Sequence, residues 1–114
     1  MKFKLYLALA LMTTSNIVSA QYTCTGKIER INQGYNGNIS VVSSSIYGDT
    51  QGRTICSLNA ERNGVSIETC KGWLSKLLSH EARGVNITIQ YNDATTSCDA
   101  QPAWSAAGNP WALW

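Results

Sequence analysis

Four cysteines, Cys24, Cys56, Cys70 and Cys98, lie in a chain of 114 residues that carries one histidine, His80. That count and spacing constrain the fold more than any other feature. There is no Cys-x-x-Cys pair and a single imidazole, so the spacing of a zinc site is missing. An even number of cysteines in a short chain instead points to two disulfides, and so to an oxidising compartment. The N-terminus agrees with that compartment. Lys2 and Lys4 make a basic start, Leu5 to Met12 is apolar, and Val18 and Ala20 sit where a signal peptidase accepts small side chains. The apolar run is much shorter than the roughly 20 residues of a membrane span. Residues 1–20 are therefore expected to be a cleaved leader, leaving residues 21–114 as a single secreted or periplasmic domain with no membrane span.

Loss of the leader removes two of the nine Lys and Arg residues, which leaves seven against seven Asp and Glu. The domain is then neutral. Nucleic-acid binding draws on clustered Lys and Arg, so that partner class is excluded.

Along residues 21–114 the pattern is mostly that of strands. Tyr22 to Ile31, Asn38 to Tyr47 and Arg53 to Ala60 are strand-like, separated by the Gly- and Asn-rich turns 33–37 and 48–52. Arg62-Asn63-Gly64 is a hairpin signal, with Gly64 suited to a left-handed position in a three-residue loop. If Glu61 pairs with Val65, the same register sets Cys56 opposite Cys70 across two strands. A non-hydrogen-bonded pair of that kind brings Cα atoms to about 4.5 Å, within reach of a disulfide. Cys24 is then left to pair with Cys98.

After Cys70 the period changes. Trp73, Leu74, Leu77, Leu78 and Ala82 recur as one helical stripe, with Thr69 placed to cap the start and Gly84 the end. Val85, Ile87, Ile89 and Tyr91 alternate with polar residues as a half-buried strand, and Pro110 opens a short last strand. The expected order is β-β-β-β-α-β-β. That is a β-rich α+β chain with one helix covering a mostly antiparallel sheet, as in a small Greek-key barrel of the OB type.

No catalytic constellation is legible, so no enzyme, cofactor or metal site is expected. His80 is expected at the solvated end of the helix, and a Cys–His nucleophile would need a cysteine that the disulfides take. The acids Glu29, Glu61, Glu68, Glu81, Asp93 and Asp99 are scattered, without the pairing that glycoside hydrolysis uses. Ser43-Ser44-Ser45 lacks a nucleophile elbow. Three tryptophans, Trp104, Trp111 and Trp114, crowd the tail. Burial, subunit contact and stacking on a sugar or a partner are all open to them.

The order of these motifs resembles a known family. Cys24-Thr25-Gly26-Lys27-Ile28-Glu29 is similar to the start of the Shiga toxin B subunit. Leu77-Leu78-Ser79 through Gly84-Val85-Asn86-Ile87-Thr88-Ile89 is similar to its helix and following strand, and Cys98 falls where its second cysteine falls. The B subunits of subtilase cytotoxin and typhoid-type toxins also close a hairpin before the helix with cysteines, as Cys56 and Cys70 would here. The likeness covers most of residues 22–98, while residues 99–114 match nothing in the pattern. The acidic turn with which Shiga toxin B contacts carbohydrate is replaced by Gly34-Tyr35-Asn36-Gly37-Asn38, which has no carboxylate.

The resemblance implies an OB fold, a ring of five copies, a host glycan or glycoprotein as ligand, and an enzymatic A subunit as a possible partner. It offers Ser43, Ser45 and Arg53 as positions for a glycan site of the subtilase type. Trp104 and Trp111 are the candidates for an exposed aromatic surface, with Trp114 packed, and Lys76 and His80 would face a central pore. The alternative is a small periplasmic or secreted OB-like protein that binds another protein, as an inhibitor or envelope accessory factor.

Overall fold

A computed structural model describes residues 21–92, 97–104 and 109–114. The expected leader, residues 1–20, and Asp93 lie outside the described residues. Strand β1 (Gln21–Lys27) is followed by β2 (Arg30–Gln33), β3 (Asn38–Val42), a short helix α1 (Ser44–Tyr47) and β4 (Gly52–Ser57). Helix α2 (Ile67–Arg83), β5 (Asn86–Asn92), a 3-10 turn at Cys98–Ala100 and β6 (Pro110–Leu113) complete the order. The strands form two three-stranded antiparallel sheets, in the orders β1-β5-β6 and β2-β3-β4. The β-rich, one-main-helix expectation holds in that form.

Three local expectations are corrected. The first strand does not run through Ile31. It ends at Lys27, and the chain resumes as β2 in the other sheet, after Ile28 enters the core and the Glu29 N–H bonds to the Val42 carbonyl at 2.9 Å. The second strand stops at Val42, because the Ser43 hydroxyl accepts from the Ile46 N–H and caps α1. The strand expected to carry Val65 to Cys70 after the hairpin does not form. Arg62 and Val65 pair directly in one isolated bridge, with Asn63 (φ 56°) and Gly64 (φ 75°) both left-handed. Two left-handed central residues make the two-residue hairpin turn rather than the three-residue loop.

The helix consequently begins earlier than its apolar stripe suggests. Ser66, not Thr69, is the cap, with its hydroxyl accepting from the Thr69 N–H at 3.2 Å. Cys70 therefore sits in the first turns of α2, and the Cys56–Cys70 bond joins β4 to the helix instead of bridging two strands. Both expected disulfides form, with Cα separations of 5.7 Å for Cys56–Cys70 and 5.8 Å for Cys24–Cys98. Two such bonds fit an oxidising extracellular or periplasmic setting. Among the described residues no helix is long and apolar enough to cross a membrane.

Helix α2 runs 17 residues to its left-handed cap Gly84 and buries Cys70, Trp73 and Leu77. Opposite them lie Ile87, Ile89 and Tyr91 of β5 with Ile39, Val41 and Ile55 of the other sheet, all fully buried. The stripe is narrower than expected, because Leu78 is half-exposed and Ala82 is exposed.

Strand β4 is an edge strand in which every residue is buried. An open edge invites pairing with another chain, and here two loops cover it. The Trp104 N–H donates to the Gly52 carbonyl at 2.7 Å, and the Asn63 amide reaches the Thr54 and Ile55 carbonyls, each at 3.4 Å.

Candidate functional site

The two-residue turn and the start of α2 form one wall of an open cleft of about 500 Å³. The end of β5 and the start of β6 form the other. Its lining includes Asn63, Ser66, Thr69, Trp73, Asn92 and Trp111. Each is held by a local cause. Asn63 takes the left-handed backbone that asparagine tolerates, and its amide is tied to β4. Ser66 and Thr69 share a hydroxyl–hydroxyl bond of 3.0 Å at the helix cap. Asn92 and Asn109 join the ends of β5 and β6, the Asn92 N–H to the Asn109 carbonyl at 2.9 Å and the Asn109 amide to the Asn92 carbonyl at 3.3 Å.

Trp73 and Trp111 give the cleft its apolar surface in different ways. Trp73 is 9% exposed and belongs to the core, whereas Trp111, alternating outward along β6, is 53% exposed. Among the described residues, no Lys, Arg, His, Asp or Glu lines the cleft. Its chemistry is therefore that of aromatic faces with amides and hydroxyls. Such a surface can stack on a ring and exchange hydrogen bonds with it.

The residues anticipated from sequence are dispersed. Trp111 lines the cleft; Trp104, Ser43, Ser45 and Arg53 do not. Ser43 is fully buried, donates to the Lys27 carbonyl at 2.5 Å and shares its oxygen with the α1 cap. Ser45 accepts from the Lys27 N–H at 3.1 Å, so both serines fasten α1 to the end of β1. Arg53 is 1% exposed. Its guanidinium donates to both Asp49 carboxylate oxygens at 2.9 Å, to the Gln51 carbonyl at 3.0 Å and to the Gln101 carbonyl at 3.1 Å.

Arg53 belongs to a closed circuit of buried polar groups. Its guanidinium lies 5.0 Å from the centre of the Tyr47 ring, and the Tyr47 and Tyr91 hydroxyls share a 2.6 Å hydrogen bond. Tyr91 stacks on Tyr22 at 5.3 Å, and the Gln101 amide donates to the Tyr22 hydroxyl at 2.7 Å. Burial drives the Tyr47 and Tyr91 phenols above their usual range, while hydrogen bonds from Arg53 and from the Gln51 N–H bring Asp49 down to about 2.

Trp104 stands beside this circuit. Its backbone is left-handed (φ 54°), rare for a bulky side chain and costing on the order of 1–3 kcal/mol. Its ring rests on Gly52, where a Cβ would come within 2.5 Å of the indole, and its ring N–H donates to the Gln51 side chain. Trp114, expected to pack, is 54% exposed, although its backbone pairs with Thr88. Lys76 is exposed and its carbonyl bonds the His80 ring at 2.7 Å.

Asn63, Ser66, Thr69, Asn92 and Asn109 were not anticipated as site residues. The turn signal at Asn63-Gly64 marked one corner, but nothing local joins residues 63–73 to 92 and 109–111. No family model matches the chain, and no curated protein or solved structure matches it.

Proposed function

We propose that this chain is a secreted or periplasmic glycan-binding module, and that saccharide binds in the cleft between Trp73 and Trp111. One observation carries the reading: two tryptophans and the amides and hydroxyls of Asn63, Asn92, Asn109, Ser66 and Thr69 converge on one cleft. Sugars offer apolar C–H faces to aromatic rings and hydroxyls to amides, so this is the donor and acceptor set they need. A pocket of about 500 Å³ has room for one or two sugar rings. The similarity of residues 22–98 to toxin B subunits points the same way. It adds an OB-type Greek-key barrel, a homopentamer, and docking to host glycan on behalf of an enzymatic A subunit. A ring would also raise weak single-site binding by about 10² or more through avidity.

A glycan array probed with the purified protein and with Trp111→Ala tests the reading. Binding to a defined set of glycans that Trp111→Ala weakens by about tenfold or more supports it. The absence of any glycan signal, together with a monomer in sedimentation, would replace it with the protein-binding accessory role.

A further inference from the structure

We infer that Trp104, with Asp49 and Gln51, forms a second saccharide contact, separate from the cleft and specific for neutral hexopyranosides. The inference rests on the reading of this chain as a sugar binder, but on different residues. Gln51 gathers the site: its side-chain oxygen accepts from the Trp104 ring N–H, and its backbone N–H donates to Asp49 Oδ1 at 2.9 Å. The indole and the carboxylate are thereby both tied to one residue.

Two features set this ring apart from an incidental surface tryptophan. It is seated, since Gly52 lacks the side chain that would lift it off β4. The residue is also clamped at two points, its backbone N–H to the Gly52 carbonyl and its ring N–H to Gln51, with the backbone held left-handed. The arrangement nevertheless leaves the ring 51% exposed. Burial of the side chain thus does not account for the strain; the clamp that covers the β4 edge also presents a fixed aromatic face.

Asp49 supplies the polar partner. Arg53 approaches it from the core with two donors, which fixes the carboxylate while leaving its side chain 42% exposed. A sugar hydroxyl donates well to an anchored carboxylate. The exposed edge of that carboxylate only accepts, so it takes a sugar hydroxyl and offers no donor to a sugar carboxylate, which makes the ligand a neutral one.

The test uses the 15N-labelled protein, in which the indole N–H resonances of Trp73, Trp104, Trp111 and Trp114 are assigned by Trp→Phe variants. Methyl α-mannopyranoside, methyl β-galactopyranoside and methyl β-glucopyranoside are titrated in turn. The expected result is a saturable shift of the Trp104 resonance with at least one of them. Asp49→Asn should weaken it about tenfold, while the Trp111 response keeps its affinity. Gly52→Ala, which unseats the ring, should act like Asp49→Asn; a well-dispersed spectrum shows that each variant is folded. A Trp104 resonance that stays still while Trp111 saturates would overturn the second contact and leave the cleft standing. A shift at Trp104 without one at Trp111 would keep the second contact and remove the cleft. If neither resonance moves with any of the sugars, both fall.

Discussion

Tyr47 in α1 and Tyr91 in β5 share a hydrogen bond of 2.6 Å between phenol oxygens although 44 residues separate them, and both rings are sealed from solvent. This bond ties α1 to the central strand of the β1-β5-β6 sheet. Tyr91→Phe should leave the Tyr47 hydroxyl without its phenolic partner and cost about 1–3 kcal/mol in urea unfolding. Removing both hydroxyls should cost less than the two single losses added, which a double-mutant cycle would read.

The same pair sets an alkaline limit. Burial holds both phenols protonated beyond their usual range, so the folded state keeps these protons where the unfolded chain has lost them. Their contribution is complete below about pH 10 and is lost as pH rises beyond it. Tyrosinate absorbance followed alongside circular dichroism should show two tyrosines that ionise only as the protein unfolds.

At the acid end the sign is reversed. Asp49, brought from 3.8 to about 2 chiefly by its hydrogen bonds to Arg53, is ionised in the folded protein where the unfolded chain is already protonated. Its contribution is present above pH 3.8 and fades as pH falls towards about 2. Asp49→Asn should flatten the stability profile across that window. An unchanged profile would mean that the Arg53–Asp49 pair contributes nothing to folding.

The two disulfides should be unequal. Cys24–Cys98 spans 74 positions and Cys56–Cys70 spans 14, which by chain entropy corresponds to somewhat over 4 and about 3 kcal/mol. Cys24→Ser with Cys98→Ser should therefore lower stability more than Cys56→Ser with Cys70→Ser. It should also loosen Gln101, three residues on, raising hydrogen exchange in Arg53 and its neighbours more than in α2.

The two cleft tryptophans should separate stability from binding. Trp73→Ala opens the core and should cost about 3–5 kcal/mol, while half-exposed Trp111→Ala should shift stability by roughly 0.5 kcal/mol or less. Comparable losses in thermal unfolding would show that Trp111 is structural.

Local pattern was enough for the parts of this fold that bury one side. Ile87, Ile89 and Tyr91 alternate into the core, Trp73 and Leu77 repeat at helical spacing, and Gly84 ends the helix, all legible in order along the chain. The pairing of Cys56 with Cys70 was legible too, although through a strand register that the chain does not adopt. A short segment that doubles back on itself brings the two cysteines together whether Cys70 sits on a strand or on a helix. Tertiary structure alone decided the rest. The break after Lys27 depends on which sheet receives Arg30–Gln33. The burial of Arg53 depends on an acceptor from Gln101 and a carboxylate from Asp49. The cleft depends on the meeting of segments around Asn63, Asn92 and Trp111. A charged or polar side chain looks the same in sequence whether water or protein supplies its partners, and those partners come from parts of the chain that only folding brings together.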